Sequence, residues 1–285
     1  IRTKVVHICI TNVCNLACGG CNQLVGHFTK EKLFFISLDE LRRNIATAIQ
    51  VAKEFWYEPW FPPKHRHLSL YGGEPTLHPK WDEILKMLFE EYSDWPFVIL
   101  TNGRTFPDRK FPLNGDPKYD YISSRKDIIA HDRNVFWRID YKDTPREFRP
   151  TLVAPIDSLK KPDKLEYFRM AEKNCWFYAH CETLIYQNKG YFCINAGPLD
   201  LIYHNGANGW DVTEGKNPFV KTKEEVEAQA KLFCHRCDMC MSHSHDEIPA
   251  HLRSKFKQST HEKSFVSKTN AVGVKPGTTE LVSFE

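Results

Sequence analysis

Val5-Val-His-Ile-Cys-Ile-Thr-Asn-Val-Cys14-Asn-Leu-Ala-Cys18-Gly-Gly-Cys21-Asn is the stretch on which the reading of this chain turns. Residues 5–10 are a short apolar run, which predicts a strand. The run stops just before three cysteines spaced C-x3-C-x2-C, so Cys14, Cys18 and Cys21 share one loop at the strand's C-terminal end. Iron–sulfur clusters are held by cysteine thiolates, and a full set is four. Three thiolates on one loop suit three irons of a cubane and leave the fourth open. A zinc knuckle needs further ligands at C-x2-4-C/H spacing, and only His27 is at hand.

Outward from this loop, strands and helices alternate. Ser37-Leu-Asp-Glu40 is a capping box. Leu38, Leu41, Ile45, Ala48 and Ala52 follow at helical spacing, giving a helix to about residue 54. Residues 67–71 predict a second strand, broken at Gly72-Gly73, and residues 81–91 a second helix. Residues 97–101 predict a third strand ending at Asn102-Gly103, and residues 135–140 and 152–154 two more. Residues 104–133, polar and marked by Pro and Gly, read as a long surface insertion. This alternation predicts a parallel sheet with helical crossovers. In such sheets the functional loops lie at the C-terminal strand ends, where the cysteine loop, Gly72–Pro75, Asn102 and Asp140 all fall.

With 285 residues there is room for one large α/β domain and a smaller appendage. The net charge of +3 says little about partners. Its excess sits in the last 35 residues, which read as a solvated tail (Arg253, Lys255, Lys257, Lys263, Lys268, Lys275). No apolar run approaches the roughly 20 residues that span a bilayer, and no secretory signal is present. A cytoplasmic protein is expected. Its ten cysteines are then metal ligands or catalytic thiols rather than disulfides.

The cysteine loop directly after the first strand, with Cys14-Asn-Leu as it stands here, resembles the signature of the radical S-adenosylmethionine (SAM) superfamily. The resemblance implies a partial (β/α) barrel of five to six parallel strands over residues 1–170. It implies a [4Fe-4S] cluster on Cys14, Cys18 and Cys21 whose open iron binds SAM. Reductive cleavage of SAM would then give a 5′-deoxyadenosyl radical that abstracts hydrogen from the substrate, with a flavodoxin- or ferredoxin-type protein as reductant. Tyr71-Gly-Gly-Glu-Pro75 resembles the family's turn for the methionyl amine, a role carried to Gly72, Gly73 and Glu74. Asn102 lies under the SAM pocket by the same resemblance. Arg138 and Asp140 share one face of their strand, where one of them would reach the ribose or carboxylate of SAM; a surface ion pair is the alternative reading. The family has an aromatic residue before the third cysteine, where this chain has Gly20; His27 or Phe28 would supply that contact.

A second group comprises Cys175, Cys181, Cys193, Cys234, Cys237 and Cys240. Residues 181–187, a turn at Asn188-Lys189-Gly190 and residues 191–194 predict a hairpin. A helix over residues 223–232 leads into C-x2-C. This arrangement resembles the twitch domain, a shortened SPASM domain, expected over residues 171–249 with a tail at 250–285. The resemblance implies an auxiliary [4Fe-4S] cluster on Cys175, Cys193, Cys234 and Cys237. Cys181 and Cys240 are alternates, or hydrogen donors to a substrate radical. A zinc ribbon using Cys234, Cys237, Cys240 and His243 or His245 is the competing metal site.

The expected function is radical oxidation of a small hydroxylated substrate such as a sugar or aminocyclitol. Peptide maturation is the alternative, disfavoured because the first strand begins by Val5 and leaves no room for a peptide-recognition domain. A nucleotide or DNA base is another, with the basic tail on phosphates. An electron carrier or zinc-binding interaction module leaves Gly72–Glu74 without a purpose.

Overall fold

In the computed structural model, residues 5–16, 21, 23–25, 28–54, 67–105, 120–122, 127–139, 166, 169, 173, 175, 182–213, 216–234, 237, 271–274 and 281–284 are described. Cys18, His27, Asp140, Cys181, Cys240, His243, His245 and the strand expected at residues 152–154 lie outside them.

The first strand, β1 (Val5–Thr11), is buried along its whole length, as expected for a strand covered on both faces. Its chain crosses back through α1 (Leu38–Glu54) to β2 (Leu68–Gly72), which pairs with β1 in parallel. The capping box at the start of α1 is complete. Glu40 N donates to Ser37 Oγ at 3.2 Å, and Ser37 N donates to Glu40 Oε2 at 3.1 Å. Next come α2 (Trp81–Glu90) and β3 (Phe97–Thr101), which lies parallel beside β2.

The polar insertion expected at residues 104–133 needs correction. It contains β4 (Asp120–Ile122) and β5 (Asp127–Asp132), and β5 pairs antiparallel with β6 (Val135–Ile139). Short polar strands like these gain their place from backbone hydrogen bonds to a sheet edge, which leave little trace in hydropathy. Arg133 at φ +51° makes the tight turn between β5 and β6. Asn134 then donates from Nδ2 to the carbonyls of Leu88, Tyr92 and Trp95, tying that turn to the end of α2.

The later hairpin is β7 (Glu182–Tyr186) and β8 (Lys189–Tyr191), followed by α3 (Ala196–His204), β9 (Trp210–Asp211) and α4 (Lys223–Phe233). Its turn falls one residue earlier than expected. Gln187 and Asn188 both take positive φ, +48° and +59°, the pattern of a two-residue type I′ turn. More consequentially, β7 pairs in parallel with β1, so the boundary expected near residue 170 does not separate two sheets.

The full order is β4-β5-β6-β3-β2-β1-β7-β8-β9, one mixed sheet. Parallel pairs join β6, β3, β2, β1 and β7, giving five parallel strands among the described residues, the α/β partial barrel expected. Within the tail, β10 (Ala271–Val274) and β11 (Leu281–Phe284) pair antiparallel.

Strand alternation sorts the side chains into two layers. Val6, Ile8, Ile10, Leu68, Leu70, Phe97 and Ile99 pack against Leu41 and Ile45 of α1 and Ile84 and Leu88 of α2. The opposite face of β1, β2 and β7 carries Cys9, Tyr71, Leu184 and Tyr186, which join Phe192, Cys193 and Phe233 in a second core. The sheet's other face is therefore where α3, α4, Cys193, Cys234 and Cys237 are gathered. Among the described residues no helix is long and apolar enough to cross a membrane.

Candidate active site

The cysteine loop leaves β1 under tight local control. Thr11 Oγ1 donates to Phe34 O at 2.8 Å and accepts from Val13 N at 3.0 Å. Asn12 grips the same crossing segment, donating to Lys32 O and accepting from Phe34 N, both at 2.9 Å. Lys32 in turn donates from Nζ to the carbonyls of Leu201 and Ile202 at 2.8 and 3.0 Å. A cation at the last turn of α3 is favourable there, because helix C-termini carry partial negative charge. The loop at the first cysteines is thus fastened to the later helix by a single side chain.

Cys14 is buried and packs with Leu16 and Val25, with partly buried Cys21 against them. Asn102 Nδ2 lies 3.8 Å from Cys14 Sγ and donates to Asn15 Oδ1 at 2.9 Å. Thiol sulfur with an amide N–H beside it is the donor chemistry an iron–sulfur cluster takes, so Cys14 and Cys21 fit one. Among the described residues, no three His, Cys, Asp or Glu converge closely enough to hold a single metal ion. A cubane differs, because its thiolates bind separate irons.

The Gly72-Gly73-Glu74 turn proves to be structural first. A Cβ on Gly72 would sit 2.1 Å from Thr11 O, and one on Gly73 would sit 2.2 Å from Val13 O. The close approach these glycines permit is to the cysteine loop's own backbone. Two hydrogen bonds complete the seam, Gly73 N to Thr11 O and Glu74 N to Val13 O, each 2.8 Å.

Glu74 is fully buried, and both carboxylate oxygens accept. Oε1 takes the hydroxyls of Thr76 and Thr101 at 2.6 Å, and Oε2 takes Asn102 N at 2.8 Å. Burial pushes the Glu74 carboxyl up, against the pull of these donors. Its carboxylate ties the end of β2 to the end of β3, which brings Asn102 to Cys14. Thr101 belongs to the Thr101-Asn-Gly103 terminus that the sequence points to, whereas nothing in the sequence singles out Thr76.

Arg138 pairs in register with Leu100 and lies one strand further along. Phe28, expected as a candidate adenine contact, is buried in the core with Cys9, Tyr71 and Tyr186. On β1 and β2, His7 and Ser69 pair in register and share a face with Cys9 and Tyr71. The His7 ring packs edge-on to Tyr71, and its Nε2 lies 3.5 Å from Glu182 Oε2. Among the described residues, Ser69 Oγ and both His7 ring nitrogens find no hydrogen-bond partner, although buried. His7 and Ser69 are therefore polar groups buried on the face that carries the second core.

The later cysteines come from three places. Cys193 follows β8, Cys234 caps α4 with Cys237 just beyond it, and Cys175 precedes β7. Burial pushes the Cys193 thiol well up. The neighbouring thiols of Cys175, Cys237 and Cys234 add to that. Among the described residues no disulfide joins any of the seven cysteines.

Gln229 of α4 draws these segments together. Its Oε1 accepts from Phe192 N at 2.9 Å, and its Nε2 donates to Gly190 O and Asn208 O at 3.4 and 3.1 Å. Leucine at 229 would remove all three bonds, two of them buried. At about 1–3 kcal/mol for each buried group left unsatisfied, we expect Gln229→Leu to lose about 2 kcal/mol or more. The denaturant midpoint of the full chain measures it.

Residues 8–123 match the family model described as Radical SAM superfamily. No curated protein matches the chain.

Proposed function

Residues 8–123 belong to the radical SAM superfamily, and from that premise we propose that this enzyme oxidises a small hydroxylated substrate such as a sugar or aminocyclitol. The observation that carries the proposal is that the thiols of Cys175, Cys234 and Cys237 neighbour the buried Cys193 thiol. Four cysteines are a full ligand set for a second [4Fe-4S] cluster. A cluster held by Cys14, Cys18 and Cys21 with SAM would supply hydrogen-atom abstraction, and one held by Cys175, Cys193, Cys234 and Cys237 would supply an acceptor for the remaining electron, the hydroxyl proton leaving to solvent.

The chain's own residues do the rest. Cys14, Cys18 and Cys21 hold the first cluster, and Glu74, through Thr101 and Asn102, keeps the ends of β2 and β3 against that loop. Cys9 stays a thiol, because burial pushes its pKa well up. A flavodoxin- or ferredoxin-type reductant would supply electrons, in a reducing cytoplasm that suits free thiols.

The test follows the hydrogen. With aminocyclitols and sugars deuterated at the carbinol carbon, deuterium should end in 5′-deoxyadenosine, one SAM should be spent per turnover, and no solvent hydrogen should enter the product. Solvent hydrogen at that carbon would mean epimerisation, and deuterium returned to the product would mean rearrangement. Either result overturns oxidation, and no turnover of any such substrate overturns the substrate class.

A further inference from the structure

We propose that Asn195 sets the reduction potential of the second cluster by donating two hydrogen bonds to its cysteine sulfurs. The inference rests on the reading that Cys175, Cys193, Cys234 and Cys237 hold an iron–sulfur cluster. Its geometry is specific. Asn195 N lies 3.4 Å from Cys193 Sγ, and Asn195 Nδ2 lies 3.3 Å from Cys237 Sγ. One residue therefore addresses two of the four sulfurs, which are 44 positions apart in the chain (237 − 193).

The residue gives up something to do so. Asn195 is the N-cap of α3, and asparagine is among the best N-capping side chains because its oxygen accepts from the first free helix N–H groups. Here the side chain makes no capping bond. It is buried, 3% exposed, with its amide nitrogen on Cys237 and its oxygen without a hydrogen-bond partner among the described residues. A side chain that leaves both the cap and its own acceptor unmet is held by its donor end. The reverse orientation would set an oxygen lone pair against a thiolate, so the N–H belongs on sulfur. Aspartate would cap the helix equally well and could not donate.

An iron–sulfur cluster that gains an electron becomes more negative, and much of that charge spreads onto sulfur. N–H groups aimed at sulfur stabilise the reduced form and raise the potential without changing the net charge. The N-terminal end of α3 adds its partial positive charge from the same side. A higher potential suits a cluster that must take an electron from a substrate.

The test is an EPR-monitored redox titration of the full chain carrying Cys14, Cys18 and Cys21 all replaced by alanine, so that the second cluster alone is read. Asn195→Leu in that background should keep its iron and show a more negative midpoint potential. Asn195→Asp should be more negative still, because a carboxylate replaces a donor. Unchanged midpoints with iron retained overturn the proposal. So does loss of iron from both variants, which would make Asn195 a structural residue only. If the alanine-substituted parent holds no iron, the reading of the four cysteines itself fails, and this outcome is separable because it precedes any change at Asn195.

Discussion

Full-length protein with Cys14, Cys18 and Cys21 all replaced by alanine should lose reductive cleavage of SAM completely. Its iron should fall from about eight to about four atoms per chain, at four per cubane cluster. The expectation rests on the seat of the first cluster. Cys14 and Cys21 lie on a loop whose backbone is held by Thr11, Asn12 and the glycine seam, away from the fold's main core. Removing three thiols there leaves the sheet and the later cysteine group intact. Retained production of 5′-deoxyadenosine by this variant would remove the basis for the assignment. Four irons accompanied by stoichiometric zinc in the unmodified protein would favour a zinc ribbon at the later cysteines.

Alanine at Gly73 should be almost as damaging for a different reason. The added methyl would sit 2.2 Å from Val13 O and 2.5 Å from Val13 C. Backbone cannot swing aside as a flexible side chain can, so β2 and the cysteine loop must separate. Overpacking typically costs 1–3 kcal/mol. With two backbone hydrogen bonds also lost from the seam, we expect about 3 kcal/mol or more, together with failure to assemble the first cluster. Gly206→Ala is the control. Gly206 has φ +75° but only open space around it, the nearest atom being 4.0 Å away. It should cost only the strain of a left-handed residue, about 1–2 kcal/mol. Urea midpoints and iron content, measured side by side, decide the matter, and a Gly73→Ala protein as stable as wild type would refute the steric argument.

The chain's local chemistry carried far. A strand ending at a C-x3-C-x2-C loop, a helix opened by Ser37 and Glu40, and strands broken at Gly72 and Asn102 each depend on residues a few positions apart. Such patterns act through nearest-neighbour sterics, capping and periodicity, so they can be read without knowing what lies across the fold. The family resemblance rested on those same local motifs, and the match over residues 8–123 agrees with it.

What the tertiary structure decided lies between residues distant in sequence. Backbone pairing puts β7 beside β1 and β5 beside β6, and backbone hydrogen bonds carry almost no side-chain signature. The glycines at 72 and 73 could be read as turn residues, but only the packed structure shows that the backbone they must clear is that of Thr11 and Val13. Glu74 reads in sequence as a carboxylate beside a glycine turn, and only the fold shows that Thr101 and Asn102 reach it from the next strand. The turning of Asn195 from its helix toward Cys237 is of the same kind, since a side chain's choice among partners depends on which distant group folding brings within reach.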